Sequence, residues 1–293
     1  MRYSVGNSIF GMSDYPARGG EWSIVRKIEE LHNRGYDHLE GDFGGLDRSL
    51  VRRLAADAGL ELGYIRFGVR SDADMEGLLR EAGEAGGSYV VAIVGHAFDS
   101  VDKTVDTVGR YREMARKAGL PFLLETHRDS ATQDLLRLNE VLRQLPDLDL
   151  MVDLSHMLVA GEITDDLYEP YAERLQPILE RACGYHGRIS NGNQIQIGLL
   201  GGNDPAAERF GSLWAKGLAA WKKRTEAEEK FFRFTVELGP PPYALTIRRS
   251  DGTEAELHDR LEQGELLRRL FSDVWERVIG QDDRNVGAGE KQT

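Results

Sequence analysis

The 293-residue chain is long enough for one large α/β domain, and its 41% hydrophobic and 29% charged residues are typical of a soluble globular protein. Its formal net charge of −12 argues against nucleic acid as a partner, because affinity for a phosphate backbone depends on clustered Lys and Arg. The single cysteine, Cys183, excludes a disulfide framework and a cysteine-based zinc site, and the lack of a signal-peptide core or a long apolar run predicts a cytoplasmic protein without membrane contact.

In the first half of the chain, helical patterns that end at a glycine alternate with strand-like runs. A strand is predicted at residues 2–10. Four amphipathic helical patterns follow, at residues 21–35, 47–59, 72–86 and 100–119. The runs between and after them are 36–43, 60–68, 88–97 and 120–127. A glycine just past a helix favours the left-handed cap, and Ser100 is a suitable N-cap for the fourth helix, so these boundaries have a physical basis.

The second half continues the alternation. Helices are predicted at 134–145, 167–184 and 210–229, and strands at 147–156, 185–190 and 231–239. Eight strands separated by helices predict a closed, parallel (β/α)₈ TIM barrel, a single α/β domain over residues 1–280. A doubly wound open sheet is the alternative, but VGNSIFGMS in the first turn lacks the G-x-G-x-x-G nucleotide motif.

A C-terminal extension follows the eighth strand. It is predicted to be helical and to pack on the barrel through an apolar face formed by Leu266, Leu267, Leu270, Phe271 and Val274, although an oligomer interface is an alternative use. The polar tail at 281–293 is predicted to be disordered.

Acidic and imidazole side chains occur at the ends of the last four strands. Glu125, Asp153, His186 and Glu237 each stand where a buried strand ends. In a parallel barrel these ends meet at one face, and chemistry is found there. Three carboxylates need a cation to offset their repulsion, so the pattern predicts one divalent metal ion: Mn²⁺ first, with Mg²⁺, Co²⁺ or Zn²⁺ as alternatives.

Other polar residues near strand ends are candidates for the pocket. His127 could orient Glu125 or act as a base itself. His96, after the fourth strand, is expected to line the pocket, and Glu40, in the second strand, to close it. The remaining histidines, His32, His38 and His258, are expected to be surface or packing residues.

Four segments, LLETHRDSATQD, VDLSHMLVAGE, HGRISNGNQIQ and VELGPPPY, resemble those of the xylose isomerase-like TIM barrels, often called sugar phosphate isomerases/epimerases. The resemblance spans most of the chain and implies the same metal ligands. It implies further that His156 and Arg188 hold substrate oxygens, Arg188 by a bidentate grip on an acidic substrate, and that Gln196 lies near the pocket. Gly184 departs from the pattern, since many relatives have a histidine there.

The resemblance implies a metal-dependent isomerase or epimerase that acts on a sugar or a sugar-like α-hydroxy carbonyl compound through an enediolate. Glu125 and Glu237 would transfer the proton, or His127 would act as the base. A lyase of the 3-dehydroshikimate dehydratase type shares the first half of this reaction and is the alternative. A non-catalytic sugar-binding barrel and an apurinic endonuclease are weaker alternatives. The expected partner is a small molecule, with homo-oligomer formation also considered.

Overall fold

The strands of the computed structural model close into a parallel barrel in simple sequence order. The structure describes residues 1–16, 20–164, 166–201, 204–225 and 231–280, so the predicted disordered tail lies outside it. The barrel strands are β1 (Arg2–Ser8), β2 (His38–Gly41), β3 (Glu61–Val69), β4 (Tyr89–Val94), β5 (Phe122–Glu125), β6 (Leu150–Val152), β7 (Ala182–Gly187) and β8 (Phe231–Val236). β8 pairs with β1 and completes the predicted (β/α)₈ barrel.

Helices surround the barrel between the strands. They are α1 (Ile24–Asn33), α2 (Arg48–Asp57), α3 (Asp72–Ala85), α4 (Val101–Ala118), α5 (Leu135–Gln144), α6 (Leu154–Ala160), α7 (Tyr168–Leu179) and α8 (Pro205–Thr225). The predicted helix over 167–184 is wrong at its end: α7 stops at Leu179, because Ala182 and Gly184 already pair with β6 and β8.

Local capping explains why the helices begin and end where they do. Ser71 and Asp74 form a capping box at the start of α3, and the Ser100 hydroxyl accepts from the backbone of Lys103 at the start of α4. Both helices end at left-handed glycines, Gly86 (φ 72°) and Gly119 (φ 71°). The predicted role of these glycines is confirmed, since a side chain would be strained there.

Two glycines in the strands make room for large side chains inside the barrel. A Cβ on Gly6 would lie 2.0 Å from the His38 ring, and a Cβ on Gly63 would lie 2.3 Å from Cζ of Tyr89. His38 is fully buried between Ser4 and Thr235, which confirms it as a packing residue. Tyr89 is thereby held in the barrel interior, where it reaches the floor of the site described below.

The C-terminal extension contains an exposed hairpin and a long helix. The hairpin of β9 (Thr246–Arg248) and β10 (Glu254–Glu256) was not predicted. The helix α9 (Arg260–Val278) was predicted. Phe271 on its apolar face stacks on Phe234 of β8, with 4.2 Å between the ring centroids. None of the described helices has both the length and the apolar character needed to cross a membrane.

Candidate metal centre and pocket

A cavity of about 600 Å³ opens at the carboxyl ends of the strands. Its walls are largely apolar, with Ile9, Phe10, Ile65, Phe67 and Ile93 among the lining residues. The polar and charged lining residues include Glu125, His127, Arg128, Arg188 and Glu237. A concave apolar pocket with a few convergent polar groups is the usual form of a small-molecule site.

The four predicted metal ligands converge beside this cavity. Glu125 is the last residue of β5, Asp153 directly follows β6, His186 lies in β7 and Glu237 directly follows β8. One potential ligand atom from each lies within 4.8 Å of the others, and all four side chains are buried. Neighbouring parallel strands end at the same height, which is why residues far apart in the chain meet here.

The cluster has the unsatisfied atoms expected of a metal site. His186 Nδ1 lies 3.2 Å from Oε1 of Glu125 and 3.3 Å from Oε2 of Glu237. Nevertheless His186 Nδ1, both carboxylate oxygens of Glu125 and Oδ2 of Asp153 are buried without a hydrogen-bond partner. Buried charged groups without partners are costly, and three carboxylates with one imidazole are ligands that suit a divalent ion. The residues present therefore fit such an ion.

The pKa shifts within the cluster also indicate an excess of buried negative charge. Burial raises the pKa of Glu125 above its ordinary value, although His186 opposes the shift. Burial would also raise the pKa of Glu237, but His186 and Arg188 outweigh it and lower that pKa. Burial would lower the pKa of His186, yet the surrounding carboxylates, Glu237 first, raise it. Both raised pKa values favour the protonated forms of Glu125 and His186 when no cation is bound.

Glu40 lies on the floor of the site rather than in the pocket wall where the sequence had placed it. Its Oε1 accepts a hydrogen bond from His186 Nε2 at 2.7 Å, and its Oε2 accepts one from the Tyr89 hydroxyl at 2.8 Å. Because Glu40 engages Nε2, the other nitrogen of His186 faces the three carboxylates. A carboxylate behind a ligating histidine fixes the ring and its tautomer. The sequence analysis missed Tyr89 altogether.

Asp153 is oriented by the start of α6, for which it is the N-cap. Its Oδ1 accepts from the backbone N–H of Ser155 at 2.8 Å and from the Ser155 hydroxyl at 2.5 Å. The other oxygen, Oδ2, is left for the metal cluster. Ser155 was missed, although an acid followed two residues later by serine at a strand-to-helix junction is the signal of such a cap.

Arg188 is buried among the ligands and is already engaged by protein groups. Its Nη2 donates to Oε2 of Glu237 at 2.7 Å, its Nε donates to the Glu237 carbonyl at 2.7 Å, and its Nη1 donates to Nε2 of His156 at 3.2 Å. Nη1 also lies 3.5 Å from Asp153. Three of the five N–H groups that a guanidinium carries are thus used, and one remains on each η nitrogen. The bidentate grip on an acidic substrate stays a prediction.

The rings of His127 and His156 are in contact, with their centroids 3.6 Å apart and their planes tilted by 36°. Burial lowers the pKa of both imidazoles. His127 Nδ1 donates to the carbonyl of Arg128, which leaves the lone pair on Nε2. No hydrogen bond joins it to Glu125, whose oxygens are unpartnered, so the expected orienting role is not supported and the role of base stays a prediction.

A second group of potential ligands, Glu125, His127 and His156, also converges in the described part of the chain. However, Nε2 of His156 already accepts from the Arg188 guanidinium. A positive guanidinium at this distance opposes a cation on the same imidazole. The set with Asp153 and His186 is therefore the better metal site.

Two predicted pocket residues lie elsewhere. The His96 side chain is exposed and is not in the cavity lining, since the turn after β4 directs it to solvent, while its backbone N–H donates to Asp99. Gln196 is buried and lines a separate small cavity, where its Nε2 donates to the Gly239 carbonyl at 3.1 Å. It braces the segment that follows β8 instead of facing the main pocket.

Tyr243, which follows the cis Pro241–Pro242 peptide, belongs to the pocket and was missed individually. Its ring centroid lies 4.8 Å from the guanidinium carbon of Arg188 and 5.3 Å from that of Arg128. Its place at the end of the VELGPPPY segment was the one sequence feature that pointed to Tyr243 as a pocket residue. Sequence spacing does not reveal how a loop folds back over a pocket.

No protein-family model and no curated protein matches the chain. Solved structures do. A xylose isomerase-like TIM barrel protein from Mycobacterium smegmatis in complex with magnesium is 14% identical, with 93% of this chain and 97% of that chain covered and a TM-score of 0.57. A sugar phosphate isomerase/epimerase from Parabacteroides distasonis ATCC 8503 is 15% identical, with 90% and 92% covered and a TM-score of 0.57.

The probable 3-DHS dehydratase AsbF from Bacillus anthracis is 15% identical, with 83% and 94% covered and a TM-score of 0.54. At these identities the likeness shows the fold alone: the chain shares the (β/α)₈ barrel of these proteins. The resemblance drawn from the sequence motifs is thereby confirmed at the level of fold.

Proposed function

We propose that the protein is a divalent-metal-dependent isomerase or epimerase of a sugar or a sugar-like α-hydroxy carbonyl compound. One observation carries the proposal: a buried cluster of three carboxylates and one imidazole leaves four of its potential ligand atoms without a hydrogen-bond partner, beside a pocket large enough for a sugar. The fold likeness to a sugar phosphate isomerase/epimerase and to a barrel in complex with magnesium supports it.

Glu125, Asp153, His186 and Glu237 would hold the ion, with Mn²⁺ preferred and Mg²⁺, Co²⁺ or Zn²⁺ as alternatives. Such an ion supplies a Lewis acid that acidifies the C–H bond next to a substrate carbonyl and stabilises negative charge on its oxygens. Glu40 keeps His186 in the ligating orientation.

Glu125 and Glu237 are the proposed proton carriers. Their carboxylates lie within 3.3 Å of the same nitrogen of His186 and both line the pocket. Removal of a proton by one carboxylate gives an enediolate, and its return by the other inverts a carbon centre, while return by the same group to the neighbouring carbon interconverts aldose and ketose. His127, with a free Nε2 in the pocket, is the alternative base.

A metal-dependent lyase of the 3-dehydroshikimate dehydratase type is the second candidate. The stacked His127 and His156 provide neutral imidazoles in addition to the carboxylates, and the dehydratase reaction needs an extra group to protonate a departing hydroxyl. The fold likeness to the probable 3-DHS dehydratase AsbF supports keeping this candidate.

Solvent exchange separates these candidates. The purified protein is incubated in D₂O with Mn²⁺ and a series of keto sugars. Deuterium at the carbon next to the carbonyl, without loss of water, is the result expected for the isomerase. Loss of water with a new conjugated ultraviolet absorbance identifies the lyase, and no exchange with any carbonyl compound overturns both.

The catalytic assignment is tested with Glu125→Gln and Glu237→Gln, with Glu254→Gln in the exposed hairpin as the control for charge. Both site variants are expected to lose turnover while they keep their circular dichroism spectrum. Glu125→Gln is the cleaner variant, because the Glu125 oxygens have no hydrogen bond to lose, whereas Glu237 accepts one from Arg188. Unchanged turnover in Glu125→Gln would contradict the assignment.

A further inference from the structure

The Arg128 side chain has no ion-pair partner in the described part of the chain, although it lines the pocket. Among the described residues, ion pairs or hydrogen bonds engage Arg66, Arg137 and Arg188 near the same face of the barrel. The Arg128 guanidinium makes neither, and its recorded contact is with the ring of Tyr243, 5.3 Å from the guanidinium carbon. A half-buried guanidinium with unused donors is the usual setting of an anion site.

We propose that Arg128 binds an anionic group of the substrate, so that the substrate is an α-hydroxy carbonyl compound with a carboxylate or a phosphate ester at its far end. This inference rests on the proposed function for the reacting end of the substrate. It assigns to Arg128 the role that the sequence had given to Arg188, whose charge is already balanced by Glu237 and Asp153.

The backbone that carries Arg128 is held rigidly. Thr132 Oγ1 donates to the Glu125 carbonyl at 2.9 Å and accepts from the His127 N–H at 2.9 Å, while the Ser130 hydroxyl donates to the His127 carbonyl at 2.6 Å. The Arg128 carbonyl accepts from His127 Nδ1. A loop braced in this way presents its side chain with little loss of entropy on binding.

Asp129 forms the turn that follows Arg128. It has a left-handed backbone with φ 56°, which aspartate adopts more readily than most residues other than glycine, and its N–H donates to the side chain of Gln133. Here the turn places Arg128 on the pocket side, while the Asp129 side chain is mostly exposed.

The pocket walls increase the effect of the unpaired charge. Phe67, Ile65 and Ile93 line the cavity and exclude water from part of it, so a guanidinium–anion pair is screened less than at an open surface. Besides Glu125 and Glu237, two acids line the cavity, Asp42 and Asp129. Asp42 is paired with Arg66 at 3.4 Å, and neither acid forms an ion pair with Arg128.

Binding of matched ligands tests the proposal without requiring turnover. Isothermal titration with Mn²⁺ present compares a ketohexose, its terminal phosphate ester and the corresponding keto acid. The wild type is expected to bind at least one charged ligand more tightly than the neutral sugar, and the preferred one identifies phosphate or carboxylate. Arg128→Gln is expected to weaken that binding by about 10- to 100-fold, as for loss of charge-assisted hydrogen bonds.

Two further variants make the test specific. Arg53→Gln removes the same charge from an exposed position on α2 and is expected to leave every affinity unchanged. Arg128→Lys keeps the charge without the paired donors and is expected to restore part of the affinity. Circular dichroism and thermal unfolding verify that Arg128→Gln is folded, since it loses only a ring contact.

The outcomes separate this inference from the proposed function. Deuterium exchange with the neutral sugar, together with charged ligands that bind no more tightly than the neutral sugar and equally to wild type and Arg128→Gln, would overturn the anion site and leave the isomerase intact. Arg128-dependent binding of a charged ligand without exchange or loss of water would support the anion site and overturn the isomerase and the lyase. Equal binding of all three ligands to every variant would overturn the role of Arg128.

Discussion

Nε2 of His186 lies 2.7 Å from Oε1 of Glu40, a residue 146 positions earlier in the chain, and this contact turns Nδ1 toward Glu125, Asp153 and Glu237. Loss of this contact would free the imidazole to rotate and to change tautomer. We expect Glu40→Gln to weaken Mn²⁺ binding by about 10- to 100-fold, the usual effect of removing such a partner. Competition with a metal-chelating dye measures the affinity.

The control for Glu40→Gln is Glu61→Gln, at the start of β3, which removes an equal charge from an ion pair with Arg233. It is expected to leave metal affinity unchanged. Equal Mn²⁺ affinity in Glu40→Gln and the wild type would show that Glu40 does not position His186.

The binding of one divalent ion per chain is expected to stabilise the fold. At an Mn²⁺ concentration of 100 times Kd, linkage gives about 2.7 kcal/mol and an increase in Tm of roughly 5–10 °C. Asp153→Asn should abolish the increase in Tm, because it removes the charge of the carboxylate whose Oδ2 is the proposed ligand. The other oxygen, Oδ1, caps α6 and can do so in asparagine as well. Asp147→Asn, at an exposed position before β6, should retain the increase, and differential scanning calorimetry measures both.

The metal-free protein is expected to lose stability as pH rises, in part because of Glu125. Its pKa is raised in the folded state, so the unfolded chain ionises first and favours unfolding from about pH 4.5 upward. Glu125→Gln lacks this pH-dependent contribution to the free energy of unfolding. In EDTA it should therefore be more stable than the wild type at pH 8, by roughly 1–3 kcal/mol, with a smaller difference at pH 5. Urea unfolding at the two pH values measures the difference.

If wild type and Glu125→Gln show the same change in unfolding free energy between pH 5 and pH 8, the pKa of Glu125 is not raised in the folded protein. With Mn²⁺ added, the order should reverse, since only the wild type gains from the ion.

Tyr89 needs the space that Gly63 provides. A Cβ at residue 63 would lie 2.3 Å from Cζ of Tyr89 and would push the phenol away from Glu40. Gly63→Ala is expected to destabilise the protein by roughly 1–3 kcal/mol, as overpacked cores do, and to weaken Mn²⁺ binding. Gly83→Ala, in α3 with no atom near the added methyl, should instead stabilise by about 0.5–1 kcal/mol.

Urea unfolding of the two alanine variants gives the comparison. A Gly63→Ala protein with unchanged stability and metal affinity would mean that the barrel interior relaxes around Tyr89 without cost.

The convergence of the four proposed metal ligands could be predicted from the sequence because their placement depends on short-range rules. Strand period, strand ends and glycine caps suffice to bring Glu125, Asp153 and His186 to one face of a barrel. The role of Glu40 could not be predicted, because β2 meets β7 only across the closed barrel. Its contact with His186 depends on the size of the side chains between them.

Loop residues were harder to predict for a related reason. His96 and Gln196 were expected in the pocket and lie outside it, because the path of a loop after its strand depends on turns and packing that spacing does not record. Arg128 shows the converse: it follows a metal ligand closely in sequence, yet its lack of an ion-pair partner becomes visible only when every nearby carboxylate has a position.

The stacking of Phe271 on Phe234 has a consequence for biosynthesis. The strand that ends next to Glu237 is supported from behind by a helix translated some thirty residues later. A ribosome-bound chain that lacks this helix already has all four strands that carry the proposed ligands, but the last strand has no helix packed behind it. We therefore expect metal capture to be among the final events of synthesis.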